Sequence, residues 1–226
     1  MNEQGLYKLK PLLKPLLSDT HCHNQLKWAK ANRNNDFSNV IFTDETTITQ
    51  FSKPKKVWRK KGEIIKAPTV KHSVKVHVYG CLSKKGFGNI YCFTNNLNAE
   101  ILCGIYKATL LPSAITLFGQ GKHKWVLQED NDPKHMSRKA HKWRADNQIT
   151  RIPWPSQSPD LNPIENIWTV LKANVGNHKP TSVKELIKVI KNEWKALDPI
   201  YAENLVTSMT NHVSLLLSNG GDHILY

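Results

Sequence analysis

Hydrophobic and polar positions along this chain change period several times, and each change marks an element. Ser73-Val-Lys-Val-His-Val-Tyr-Gly alternates with period two and sets Val74, Val76 and Val78 on one face, as a half-buried strand does. Beyond Lys84-Lys-Gly-Phe-Gly, a run from Asn89 to Thr94 completes a hairpin. Two short runs do not alternate, Asn39-Val-Ile-Phe-Thr-Asp44, with room to continue to Gln50, and Trp125-Val-Leu-Gln-Glu-Asp130. They read as buried strands, the second starting at Lys124, and Gln148–Trp154 reads as a further strand. Helical spacing covers Asp19–Ala31, with Leu26, Trp28 and Ala29 inward, then 98–118 with an interruption at Pro112, then Met136–Asn147. It returns over 163–175, 182–197 and 199–217, where Val183, Leu186, Ile187, Ile190, Trp194 and Leu197 form a core stripe. Residues 1–17 form a basic, Pro-interrupted arm, and 51–71, with Pro54, Gly62 and Pro68, form a loop.

Three antiparallel strands followed by strand-helix-strand crossovers predict an α/β fold, a mixed five-stranded sheet with flanking helices. The first and fourth strands neighbour each other in such a sheet. Asp44 and Asp130 would then lie at adjacent strand ends.

Composition says what such a domain meets. Its 226 residues, 39% hydrophobic with seven Trp, suffice for a sizeable core, and a net charge of +14 points to a polyanionic partner. Half of that excess lies in one segment, where Lys53, Lys55, Lys56, Arg59, Lys60, Lys61, Lys66 and Lys71 face a single acid, Glu63. Trp58 within it can stack on a base or sugar, so the segment reads as a phosphate-contacting loop. The string Lys53-Pro-Lys-Lys-Val-Trp-Arg-Lys-Lys61 also suits nuclear import, and a nuclear location is expected. Four cysteines without a Cys-x-x-Cys pair predict buried, reduced thiols, and zinc is not expected at His21-Cys22-His23. No signal peptide is recognised, and no apolar run approaches a membrane span.

Three acids carry the candidate chemistry. Asp44 and Asp130 close apolar runs, and Glu165 follows the rigid turn Trp154-Pro-Ser-Gln-Ser-Pro-Asp-Leu-Asn-Pro-Ile. Carboxylates converging from two strand ends and a helix start suit a pair of magnesium ions that cut phosphodiesters. Each has a plainer explanation: Asn162-Pro163-Ile164-Glu165 is a good capping box, Asp160 a turn residue, Asp44 and Asp130 solvated strand ends. Only the three together favour metal. The residues alone do not choose Asp130 over Glu129 or Asp132. His135, a lone histidine after a turn, is expected at the surface, though it could reach a phosphate or the metal region.

Gln128-Glu-Asp130-Asn-Asp-Pro-Lys-His and Trp154-Pro-Ser-Gln-Ser-Pro-Asp-Leu-Asn-Pro-Ile-Glu165-Asn-Ile-Trp strongly resemble the mariner superfamily of DDE transposases, closest to its Sleeping Beauty branch. Thr43-Asp44-Glu-Thr and Val57-Trp-Arg-Lys-Lys-Gly-Glu match two further blocks in order, and the 34 residues between Asp130 and Glu165 match the branch's spacing. The resemblance, over about residues 10–226, implies a ribonuclease H-like fold and selects Asp130. It makes Asp44, Asp130 and Glu165 the catalytic, metal-binding triad for two Mg²⁺, with Mn²⁺ able to substitute. Metal-dependent cleavage and strand transfer on transposon-end and target DNA would follow. The segment 51–71 resembles the family's clamp loop, which reaches a second subunit and allows a homodimer. Residues 1–35 would be a basic linker and helix ending a DNA-binding region, and 36–226 the catalytic domain. Two helix-turn-helix modules precede that domain in relatives, and this chain starts near their end, so end recognition is expected to be missing. Where relatives have a Gly-rich run after Val70-Lys71-His72, this chain continues Ser-Val-Lys-Val. The alternatives are an inactive or domesticated remnant that binds nucleic acid and, less favoured, an unrelated ribonuclease H-type nuclease.

Overall fold

The structure, a computed structural model, describes residues 16–50, 74–121 and 124–224. Strand β1 (Val40–Thr49) lies at the centre of the sheet. It pairs antiparallel with β2 (Lys75–Ser83), Phe42 opposite Leu82 and Thr49 opposite Lys75. It pairs parallel with β5 (Val126–Gln128), from Val40 opposite Val126 to Phe42 opposite Gln128. Two short strands, β3 (Gly86–Phe87) and β4 (Tyr91–Phe93), add antiparallel to the far edge of β2 and complete a five-stranded mixed sheet.

Alternation on the central strands explains why both faces are covered. Phe42, Val76, Val78 and Leu82 face one core, while Ile41, Tyr79 and Cys81 face the other. The first core is closed by α1 (Asp19–Ala31), α5 (Ile164–His178), α6 (Val183–Lys195), α7 (Pro199–Thr207) and α8 (Met209–Ser218). The second is closed by α2 (Ala99–Ile105), α3 (Leu111–Phe118) and α4 (Arg138–Asp146). Helix α1 matches the sequence reading, capped by Ser18 and anchored by buried Trp28 and Ala29.

Four expectations change. Residues 148–154 reduce to a single parallel bridge, Arg151 with Leu127, because Pro153 has no N–H to extend the ladder. Pro112 does not interrupt its helix. A π-helical turn, Tyr106–Leu110, joins α2 to α3 and opens the ring that Pro112 would otherwise crowd; Leu111 N–H bonds Tyr106 O, five residues back. The resulting stretch Ala99–Phe118, with mean hydropathy 1.6, is long and apolar enough to cross a membrane, contrary to the sequence reading. Here Leu102, Ile105, Tyr106 and Leu110 fill the second core instead. Finally, the helix expected over 199–217 is divided at Ser208, whose hydroxyl donates to the Leu205 carbonyl in the last turn of α7.

Candidate active site

The two acids at neighbouring strands are placed by one stitch between β1 and β5. Thr43 Oγ1 donates to the Gln128 carbonyl at 2.7 Å, and Thr43 N donates to Gln128 Oε1 at 3.3 Å. Asp130 follows two residues past the end of β5. Asp44 does not close β1; the longer reading, with the strand continuing towards Gln50, holds. The strand runs on to Thr49, because Asp44 stays in register with Gly80 of β2. That glycine is required, since a Cβ there would lie 2.6 Å from the Trp168 ring. Trp168 in turn donates its indole Nε1–H to Asp44 Oδ2 at 2.9 Å.

Glu165 stands in the first turn of α5, but not in a capping box. Pro163 occupies the cap position without a side-chain bond, and the Asn162 amide instead donates to the Thr43 carbonyl at 3.2 Å. The Pro-rich turn before it is held from both sides. Trp28 Nε1 on α1 donates to Pro153 O at 2.9 Å, and Asn131 Nδ2 donates to Trp154 O at 2.9 Å. Asp44, Asp130 and Glu165 consequently line one cavity of about 460 Å³, with Asn131, Asp132, Asn162 and residues 154–159.

Three acids follow one another near the end of β5, and the structure separates them. Glu129 turns away from the cavity and is buried against Arg144 (2.7 Å), Arg151 (3.2 Å) and the Tyr106 hydroxyl. Asp132 pairs with Lys134 at 2.6 Å. Asp130 is braced by its backbone, since Arg151 Nη2 donates to its carbonyl at 2.8 Å and to that of Glu129 at 3.0 Å. Its side chain meets His135, which is 2% exposed and not the surface residue that the sequence suggests. The two His135 nitrogens lie 2.6 Å from Asp130 Oδ1 and 3.2 Å from Glu45 Oε1. Sequence reasoning misses this bridge because Glu45 is 90 positions away. Asp160 sits in a turn, within 3.4 Å of His223.

Electrostatics divide the cavity. Burial, then the charges of Glu165 and Glu45, push the Asp44 carboxyl up to about 8, against the bond from Trp168. Burial likewise raises Glu165. Burial acts on Asp130 too, but the His135 bond and the Asp132 N–H outweigh it and hold this carboxyl below its ordinary value. Burial opposes charge on His135, while the Asp130 and Glu45 carboxylates push it up to about 10. Among the described residues, no three His, Cys, Asp or Glu side chains stand close enough to form a ready-made metal cage. The oxygen donors nonetheless suit a hard cation that keeps waters: three carboxylates, and the buried Asn162 Oδ1, which has no hydrogen-bond partner among the described residues. The basic residues Lys53 to Lys71 and Trp58 lie outside the described residues.

The DDE superfamily endonuclease family matches residues 39–187 of this chain, including all three acids. The chain belongs to this family. Among relatives of this DDE domain, the transposable element Tc1 transposase of Caenorhabditis elegans is 28% identical over 98% of this chain and 84% of that protein. The Tcb1 transposase of Caenorhabditis briggsae is 28% identical over 96% and 82%. Among solved structures, the Mos1 mariner paired-end complex with Mn superposes with a TM-score of 0.87 at 14% identity, covering 99% of this chain and 69% of that one. The isolated catalytic domain of Mos1 mariner transposase gives 0.76 at 13% identity, over 95% and 100%. The fold of this DDE domain is therefore ribonuclease H-like, and the chain is a transposase catalytic domain of the Tc1/mariner superfamily.

Proposed function

We propose that Asp44, Asp130 and Glu165 form the catalytic triad and would hold divalent cations, two Mg²⁺ or Mn²⁺, for cleavage and strand transfer at transposon ends. The observation that carries this reading is the convergence of three carboxylates, from β1, the end of β5 and the start of α5, on one cavity. Bound cations would lower the pKa of an attacking water and offset charge on the phosphate. The protein's own part is positioning. Trp168 orients Asp44, the His135 bridge fixes one oxygen of Asp130, and Arg151 anchors the backbone beneath it. The Asn162 amide locks the turn before Glu165 to the carbonyl of Thr43, next to Asp44. No observation favours the inactive remnant.

Nicking of supercoiled DNA in Mg²⁺ or Mn²⁺ tests the reading, with Asp130→Asn as control; nicking that survives that substitution overturns the triad. The partners proposed are transposon-end and target DNA, reached through Lys53, Lys55, Lys56, Trp58, Arg59, Lys60, Lys61, Lys66 and Lys71, with a homodimer joined by the same segment. The paired-end complexes of the Mos1 neighbours support this assembly. Light scattering with and without DNA measures it, a monomer in both being the adverse outcome. Nuclear import through Lys53–Lys61 is proposed as well. Imaging the tagged chain with Lys55, Lys56, Lys60 and Lys61 changed to Gln should show its nuclear signal lost.

A further inference from the structure

Away from the acid cavity, α6 carries Lys184, Lys188, Lys191 and Lys195, all exposed. At 100° per residue the four fall within an arc of about 60°, beside the buried Leu186, Ile190 and Trp194 face, along about 16 Å of helix. None makes an ion pair among the described residues. The two acids of α6 are engaged elsewhere. The Glu185 carboxylate accepts from Thr181 N at 2.7 Å and Thr181 Oγ1 at 2.8 Å, and Glu193 bonds His178 at 2.7 Å. Glu185 does line the same groove and feels Lys188, but its hydrogen bonds hold it to the helix start.

The groove beside the stripe, about 590 Å³, adds the polar side chains of Ser182 and Asn192. Lys191 and Lys195 also line an adjoining groove with Asn89 and Tyr91, which is 38% exposed. One strand of duplex DNA offers a phosphate every 3.4 Å of axis, so a stripe of this length spans several phosphates. Lysines in one file with no ion pair among the described residues, polar hydrogen-bonding side chains and an accessible ring match that backbone.

We propose that the α6 stripe is a further DNA-contact surface, outside the acid cavity, that takes the phosphate backbone of duplex DNA. It rests on the transposase reading for the identity of its partner. The test is fluorescence anisotropy of the full chain on a labelled duplex, without divalent metal, across a salt series. The variant carries Lys184→Gln, Lys188→Gln, Lys191→Gln and Lys195→Gln. The slope of log K against log salt should become shallower by about 3.6, at roughly 0.9 for each phosphate no longer neutralised. A variant with the same charge change elsewhere, Lys27→Gln, Lys30→Gln, Lys107→Gln and Lys142→Gln, should shift it by less than about one. An unchanged slope in the stripe variant, or an equal change in both, overturns the proposal. Asp130→Asn should lose Mn²⁺-dependent nicking and keep the full slope, so failure of the triad and failure of the stripe are read separately. No duplex binding by the unmutated chain would overturn the stripe, while the triad stands or falls on nicking alone.

Discussion

Asp44 on β1 and Asp130 just past the end of the neighbouring β5 share the cavity, yet their surroundings are opposite. Asp130 is compensated by the protein itself, through a histidine that the site keeps charged and an arginine on its backbone. Asp44 faces Glu165 and Glu45, with the Trp168 indole N–H and the Glu45 backbone N–H in its favour. One side of the cavity is thus finished without any cation, while the other holds acids that repel one another when ionised. For the proposed cation site, the difference teaches where affinity would arise: on the Asp44–Glu165 side, with Asp130 as the prearranged partner.

Breaking the compensated side should have the largest effect. Asp130→Asn is expected to lower the DNA-nicking rate by roughly 10⁴-fold, about 5–6 kcal/mol of barrier, with the thermal midpoint little changed. His135→Gln keeps hydrogen bonding to both carboxylates and removes the charge between them. It should weaken Mn²⁺ affinity by calorimetry about 10–100-fold, while His135→Ala should do worse. If Gln, Ala and the unmutated chain bind Mn²⁺ equally, the bridge positions nothing.

The uncompensated side is sharpened by two smaller effects. Gly80→Ala would push against Trp168 and cost about 2 kcal/mol in urea unfolding, with reduced nicking as Asp44 loses its donor. Asp44→Asn should instead stabilise the metal-free protein by about 1 kcal/mol at pH 8. The folded-state pKa of Asp44 is raised, so its contribution is fully present below the ordinary value of 3.8 and is lost as pH rises towards about 8. The gain should therefore vanish near pH 4, and a gain that persists there would mean that packing, not charge, is responsible.

Much of this was legible in the sequence because it is local. Alternation over 74–80 and the apolar runs ending near Asp44 and Asp130 mark β2, β1 and β5, and Asn162-Pro163 marks the start of α5. What sequence reasoning misses depends on partners far along the chain. The capping box fails because the Asn162 amide finds the Thr43 carbonyl, 119 positions away. His135 reads as a surface residue because Glu45 lies on another element. The strand over 148–154 has the right composition, but Pro153 ends its hydrogen bonding after one bridge. The lysine file of α6 is visible as helical spacing, whereas the engagement of Glu185 and Glu193 with Thr181 and His178 is not.

Trp168 and Arg151 reach the acids from late in the chain. The indole that fixes Asp44 comes 124 residues after it, and the guanidinium that pins Asp130 comes 21 residues after it. These contacts are non-local, so they close only once most of the chain has been made and docked. A nascent or half-folded chain thus carries its acids without their supports. For a transposase catalytic domain, late assembly is a built-in delay: the blade is set only after the handle.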